Sequence, residues 1–184
     1  HILAAGSSLS YGVQAVDGLN TITAMQGLEV TATGGANSSN YGVRAESGAM
    51  SSGVNTLESY GTINITATGG AGSSSYALDA ETGGANQLNA GWGDTHITAG
   101  VAGQSSGAAS TGMNAVTTLD WSGPTGLDTS NTITGGQSVT VLAQGSAANT
   151  GMSATIENGW MNGWSGTPDT VRNEILSTQG AVSV

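Results

Sequence analysis

Tyr41-Gly42-Val43-Arg44-Ala45, then Asn55-Thr56-Leu57-Glu58-Ser59, then Ile63-Asn64-Ile65-Thr66-Ala67-Thr68-Gly69-Gly70 are three short phrases that begin again at Tyr76-Ala77-Leu78-Asp79-Ala80. Apolar and polar residues alternate in them, which is the period of a strand with one buried face. Gly, Ser and Asn fill the joints between phrases, where tight turns need them. A strand pattern that returns in fixed order is the mark of a repeat architecture.

The first phrase recurs at Tyr11, Tyr41, Tyr76, Thr111 and Thr150, with starts 30, 35, 35 and 39 residues apart. The second opens on Asn20, Asn55, Asn86, Asn131 and Asn173, each followed two residues later by Ile or Leu. The third is centred on Val30, Ile65, Ile97 and Val141, and the chain stops inside its fifth copy at Val184. Three short strands per repeat predict an all-β, parallel β-helix of about five coils, with residues 1–184 as one solenoid segment. A barrel or sandwich also has many short strands, but neither explains a fixed three-part order. Helix is not expected, because no window keeps the i, i+3, i+4, i+7 spacing for long and Gly interrupts every candidate. Val30, Ala32, Ile65, Ala67, Ile97 and Ala99 are predicted to point inward. Glu29, Thr31, Asn64, Thr66, His96 and Thr98 are predicted to point outward.

Corner lengths locate the variable edge. The second phrase reaches the centre of the third in 10 or 11 residues, and the third reaches the next first phrase in 9 to 14. Between the first and second phrases the spacing runs 9, 14, 10, 20 and 23. Insertions therefore gather at one corner. In a solenoid, equivalent residues stack at about 4.8 Å, so the five Asn predict a side-chain amide ladder. Tyr11, Tyr41 and Tyr76 are expected to form a second column that Thr111 and Thr150 break. Gly34-Gly35 and Gly69-Gly70 read as turn glycines with positive φ.

Composition agrees and narrows the function. With 31 Gly, no Cys, no Phe and 8% charged residues, the chain lacks the means for an ordinary Leu/Phe core. Regularly spaced Val, Ile and Leu argue against disorder. The formal charge is −10, with Arg44 and Arg172 as the only Lys or Arg residues. Nucleic-acid phosphates and anionic lipid heads both need a cationic footprint, so neither is an expected partner. No apolar run of ~18 residues exists for membrane insertion. The first and last residues fall at the same phase of the repeat, and no cap is evident. A segment of a longer polypeptide, or a subunit that stacks end to end on itself, is the expectation.

No catalytic motif emerges. Eight of the twelve acids (Asp17, Glu46, Asp79, Glu81, Asp120, Asp128, Glu157 and Asp169) lie between first and second phrases. Two carboxylates suffice in principle for glycoside hydrolysis, but no pair here forms a recognisable motif, and a solvated acidic edge is expected. Asp79 and Glu81 flank the inward Ala80 and are both predicted to face out. His96 is predicted on the surface, with only Asp94 near it in sequence. Gly69-Gly70-Ala71-Gly72-Ser73-Ser74 lacks the Asp of a calcium-binding repeat, so neither metal nor cofactor is expected. Trp121, Trp160 and Trp164 lie in the two long insertions, beside Asp120 and Asp128. They are the candidate ligand- or partner-binding residues, because exposed Trp on loops stacks on sugars or anchors a protein partner. Trp92, in a short corner, reads as packing.

The runs Val30-Thr-Ala-Thr-Gly-Gly-Ala-Asn-Ser-Ser-Asn-Tyr-Gly-Val-Arg-Ala45 and Ile65-Thr-Ala-Thr-Gly-Gly-Ala-Gly-Ser-Ser-Ser-Tyr-Ala-Leu-Asp-Ala80 resemble the passenger repeats of bacterial autotransporter adhesins and related secreted β-helix proteins. The resemblance implies a right-handed β-helix, an extracellular or cell-surface location, and adhesion or self-association without catalysis. It brings no catalytic motif, and that family's barrel domain and export signal are not in the sequence. The expected partners are the chain itself or molecules on a host or neighbouring cell. A carbohydrate-active enzyme or glycan-binding module on the same scaffold is the alternative. An ice-binding surface is a further one, since Thr31-Ala32-Thr33 and Thr66-Ala67-Thr68 carry a Thr-x-Thr spacing.

Overall fold

A computed structural model of the chain describes residues 1–16, 18–46, 53–81, 84–103, 107–119, 129–158 and 171–184. A first strand, β1 (Ile2–Gly6), is followed by five turns of three strands each. The first turn is β2 (Leu9–Val16), β3 (Leu19–Ala24) and β4 (Leu28–Gly34), and the second is β5 (Ser39–Glu46), β6 (Val54–Ser59) and β7 (Ile63–Thr68). The third is β8 (Ser74–Glu81), β9 (Ala85–Ala90) and β10 (Thr95–Gly100). The fourth is β11 (Ala109–Leu119), β12 (Thr129–Gly135) and β13 (Val139–Gln144). The fifth is β14 (Asn149–Asn158), β15 (Val171–Ser177) and β16 (Val182–Ser183).

Every third strand pairs in parallel, giving three sheets. Sheet A runs β1-β4-β7-β10-β13-β16, sheet B runs β2-β5-β8-β11-β14, and sheet C runs β3-β6-β9-β12-β15. The chain is a parallel β-helix repeat protein. The registers match the sequence alignment residue by residue: Tyr11 on Tyr41 on Tyr76 on Thr111 on Thr150, and Val30 on Ile65 on Ile97 on Val141. The five Asn are likewise in register from β3 to β15.

The bore is filled by aliphatic side chains, with Val30, Val43, Leu57, Ile65, Leu78, Ile97, Met113 and Ile133 fully buried. Each contributes roughly 1.5–3 kcal/mol by leaving water, summed over neighbouring coils rather than in one globular core. The inward and outward assignments for sheet A hold throughout. Sheet B strands bend in mid-course: Gly42 and Val43 both turn inward, which returns Arg44 to the side on which Tyr41 stands. A Cβ on Gly42 would press on the carbonyl of Ala77 and on Ile65.

The turn glycines differ from expectation. Positive φ falls at Asn37, Gly72 and Gly107, in the turns between sheets A and B, and at Gly100 and Gly103, not at Gly34-Gly35 or Gly69-Gly70. A Cβ on Gly34 or Gly69 would instead collide with the buried side chains of Asn40 and of Ser38 or Ser73. These glycines make room for polar side chains packed under the corner.

Candidate functional site

The Asn column is built as the repeat demands. Asn20 Nδ2 donates to Asn55 Oδ1, Asn55 to Asn86, Asn86 to Asn131 and Asn131 to Asn173, each at 2.8 Å. The second N–H of each amide donates to a backbone carbonyl of the next coil: Arg44, Asp79, Asn114 and Ser153 in turn. One side chain thus satisfies both its neighbour and the bend of sheet B, which is why burial of Asn55, Asn86 and Asn131 is tolerated. A shorter polar cluster, overlooked in the sequence, sits under the corner between sheets A and B, where Ser10 donates to Asn40 and Asn40 to Ser38. The recurrent Ser or Asn directly before each first phrase (Ser10, Asn40, Ser75, Ser110 and Asn149) was its signal.

On the outer face of sheet B the expectation of a solvated acidic edge fails at Asp79. Tyr11, Tyr41 and Tyr76 stack with ring centroids 5.2 Å apart, and the Arg44 guanidinium lies 4.6 Å from the Tyr41 centroid. Arg44 donates to Tyr11 Oη at 3.1 Å and to Glu81 Oε2 at 3.0 Å. It also meets Glu46 at 3.6 Å and, through Nε, Asp79 at 3.3 Å, the latter without the alignment of a hydrogen bond. Asn114 donates to Asp79 Oδ1 at 2.8 Å. Asp79 does point away from the bore, yet only 2% of it is exposed, because Arg44 from the coil before and Asn114 from the coil after close over it.

Burial dominates the electrostatics of this cluster. It pushes the Asp79 carboxyl up to about 6; the Asn114 hydrogen bond pulls it down, Glu81 pushes it up, Arg44 pulls it down and Glu46 pushes it up. Burial likewise raises Tyr41 to about 12 against the pull of Arg44, and raises Tyr76. For Arg44, burial works against the charge, but Glu81, Tyr41 and Asp79 together outweigh it and the guanidinium is held more firmly charged than in water. The cluster ties four consecutive coils together and has one carboxyl that titrates near neutrality.

Trp121, Trp160, Trp164, Asp120 and Asp128 lie outside the described residues. His96 is on the surface, and Asp94 Oδ1 accepts from Ser138 N at 3.0 Å in the next coil. Among the described residues no group of three His, Cys, Asp or Glu is placed to hold a metal ion. Trp92 does not pack: it is 72% exposed, on the same corner between sheets C and A as Tyr60 at 58% and Met25 at 75% but one position past their column, which Gly91 continues. The sequence placed Trp92 in a tight corner correctly, but in a turn this short the backbone occupies the inner side and the indole is forced outward. Next to that corner the outer face of sheet C is dished into a shallow polar trough of about 240 Å³.

No protein-family model, curated protein or solved structure matches this chain.

Proposed function

We propose that this β-helix is a non-enzymatic structural and adhesive segment that works outside the cell, holding a surface away from its anchor and attaching it to other molecules or to further copies. The observation that carries it is the Asn ladder. Its polarity is uniform, so among the described residues Asn20 offers an unused acceptor at one end and Asn173 an unused donor at the other. Ile2, Val13 and Ile22 at one end, and Met152 and Ile175 at the other, are only partly covered. Both features suit end-to-end contact with another copy. The likeness to autotransporter passenger repeats supports the same location and role. Buried polar groups are spent on joining coils, which suits a spacer better than a reaction centre.

Sedimentation velocity across a wide concentration range, with electron microscopy of the same samples, tests the self-association arm. Rods one solenoid wide that lengthen with concentration are expected. A dispersed monomer at every concentration contradicts it.

A further inference from the structure

The three outer faces differ in what their polar side chains do. On sheet B, Arg44, Asp79, Glu81 and Asn114 are engaged with one another. On sheet C, Thr56, Glu58, Gln87, Asn89, Thr132 and Thr134 line the trough, and none of their side chains makes a hydrogen bond within the described residues. They stand in two neighbouring columns, Thr56-Gln87-Thr132 and Glu58-Asn89-Thr134, set by the strand register. Successive members are one coil apart, about 4.8 Å.

A ridge runs along one side of this floor. Backbone hydrogen bonds from Tyr60 N to Ala24 O and from Trp92 N to Tyr60 O lock the turns carrying Met25, Tyr60 and Trp92 onto one another. Trp92 follows Asn89 by three residues, so their backbones lie within about 11 Å. Met25 and Tyr60 are register equivalents and Trp92 stands one position further along its turn; with the indole 72% exposed, these apolar groups on neighbouring turns offer a surface that a ligand can cover.

We propose that the trough and ridge form a binding site for a neutral glycan strand lying along the solenoid axis. A pyranose has an apolar C–H face and a rim of hydroxyls. Trp92 and Tyr60 offer flat rings to the first, and the floor offers free amides, hydroxyls and one carboxylate to the second. The coil spacing is comparable to the rise of one sugar in an extended chain, so successive rings meet equivalent columns. Charge selects against acidic polymers: the molecule carries −10 and Glu58 has no ion-pair partner on the floor, while Arg172, at the trough's end, is held by Glu174 at 3.0 Å. A neutral ligand leaves Glu58 free to accept from sugar hydroxyls, which a uronate or sulfated chain prevents by repulsion. This names a partner class for the adhesive role proposed above and takes its biological sense from it, while the binding itself is independent of whether copies associate.

Titration calorimetry of the 184-residue chain with cellohexaose, chitohexaose and mannohexaose, and with hexagalacturonate and a heparin hexasaccharide as charged comparisons, tests the proposal. At least one neutral hexasaccharide binds, the two acidic ones do not, and Trp92→Ala and the pair Gln87→Ala with Asn89→Ala each weaken binding at least tenfold without moving the thermal midpoint. Absence of binding to all three neutral sugars at millimolar concentration overturns it. So does unchanged affinity in Trp92→Ala, a preference for the acidic sugars, or Trp92-dependent dimers without sugar, which give the ridge to a second copy. Sedimentation of the same variants reads self-association separately, so failure of either idea leaves the other standing.

Discussion

Asn86 accepts from Asn55, donates to Asn131 and donates to the Asn114 carbonyl, all in an interior that excludes water. Removing its side chain strands three buried partners, each at roughly 1–3 kcal/mol. Asn86→Ala is therefore expected to cost about 3 kcal/mol or more in urea unfolding, against less than about 0.5 kcal/mol for the outward Thr132→Ala. Asp79 gives a signature in pH. Its folded pKa is raised to about 6, whereas an unfolded Asp titrates near 3.9. Between those values the folded state binds the extra proton, so this group's contribution to stability falls as pH rises through 6 and is recovered on acidification. From pH 7 to pH 5 the native chain is expected to gain about 1 kcal/mol over Asp79→Asn in parallel melts. An equal pH response in both proteins contradicts the burial of this carboxyl. The ladder was legible in the sequence because the same residue returns at the same corner in every copy. The cover over Asp79 was not: alternation with Ala80 assigns a face, but what closes over that face comes from Arg44, which the register places beside it from 35 residues away.

At the scale of the strand, alternation decided nearly everything. Ile65 is buried between Val30 and Ile97, with Thr66 on the opposite face. Ile65→Asp buries an unpaired carboxylate in an aliphatic stack, and loss of the cooperative melt followed by circular dichroism is expected. Thr66→Asp adds a solvated charge and shifts the midpoint by only a few degrees. Equal shifts contradict the facing assignment. Turns were less legible than strands, since the glycine pairs Gly34-Gly35 and Gly69-Gly70 signal a turn by type alone. Whether such a glycine serves positive φ or space depends on its neighbours, here Asn40, Ser38 and Ser73, which reach it through the fold. Trp92 failed in the same way, because a corner of a few residues names a position without naming a direction.

At the scale of the molecule, among the described residues sheet A has six strands and sheets B and C have five. Two copies meeting through Asn173 and Asn20 stack β14 on the partner's first sheet B strand and β15 on its first sheet C strand. That brings β16 of one copy and the first strand of the next to the same rung. β16 holds its place through only Val139 on Val182 and Thr140 on Ser183, whereas β1 pairs along five residues. The central claim, that the coil stack continues from chain to chain along its Asn ladder, is tested most directly by a covalent trap. Equivalent positions on adjacent coils stand about 4.8 Å apart, within the Cα separation of about 4.4–6.8 Å that a disulfide spans, and the chain has no cysteine of its own. Mild oxidation of the double variant Thr21→Cys with Glu174→Cys, equivalent outward positions beside the ladder that leave its asparagines intact, is predicted to give a regular series of reducible multimers on a denaturing gel, with each single variant staying monomeric. A double variant that stays monomeric, or that stops at the dimer, contradicts the claim.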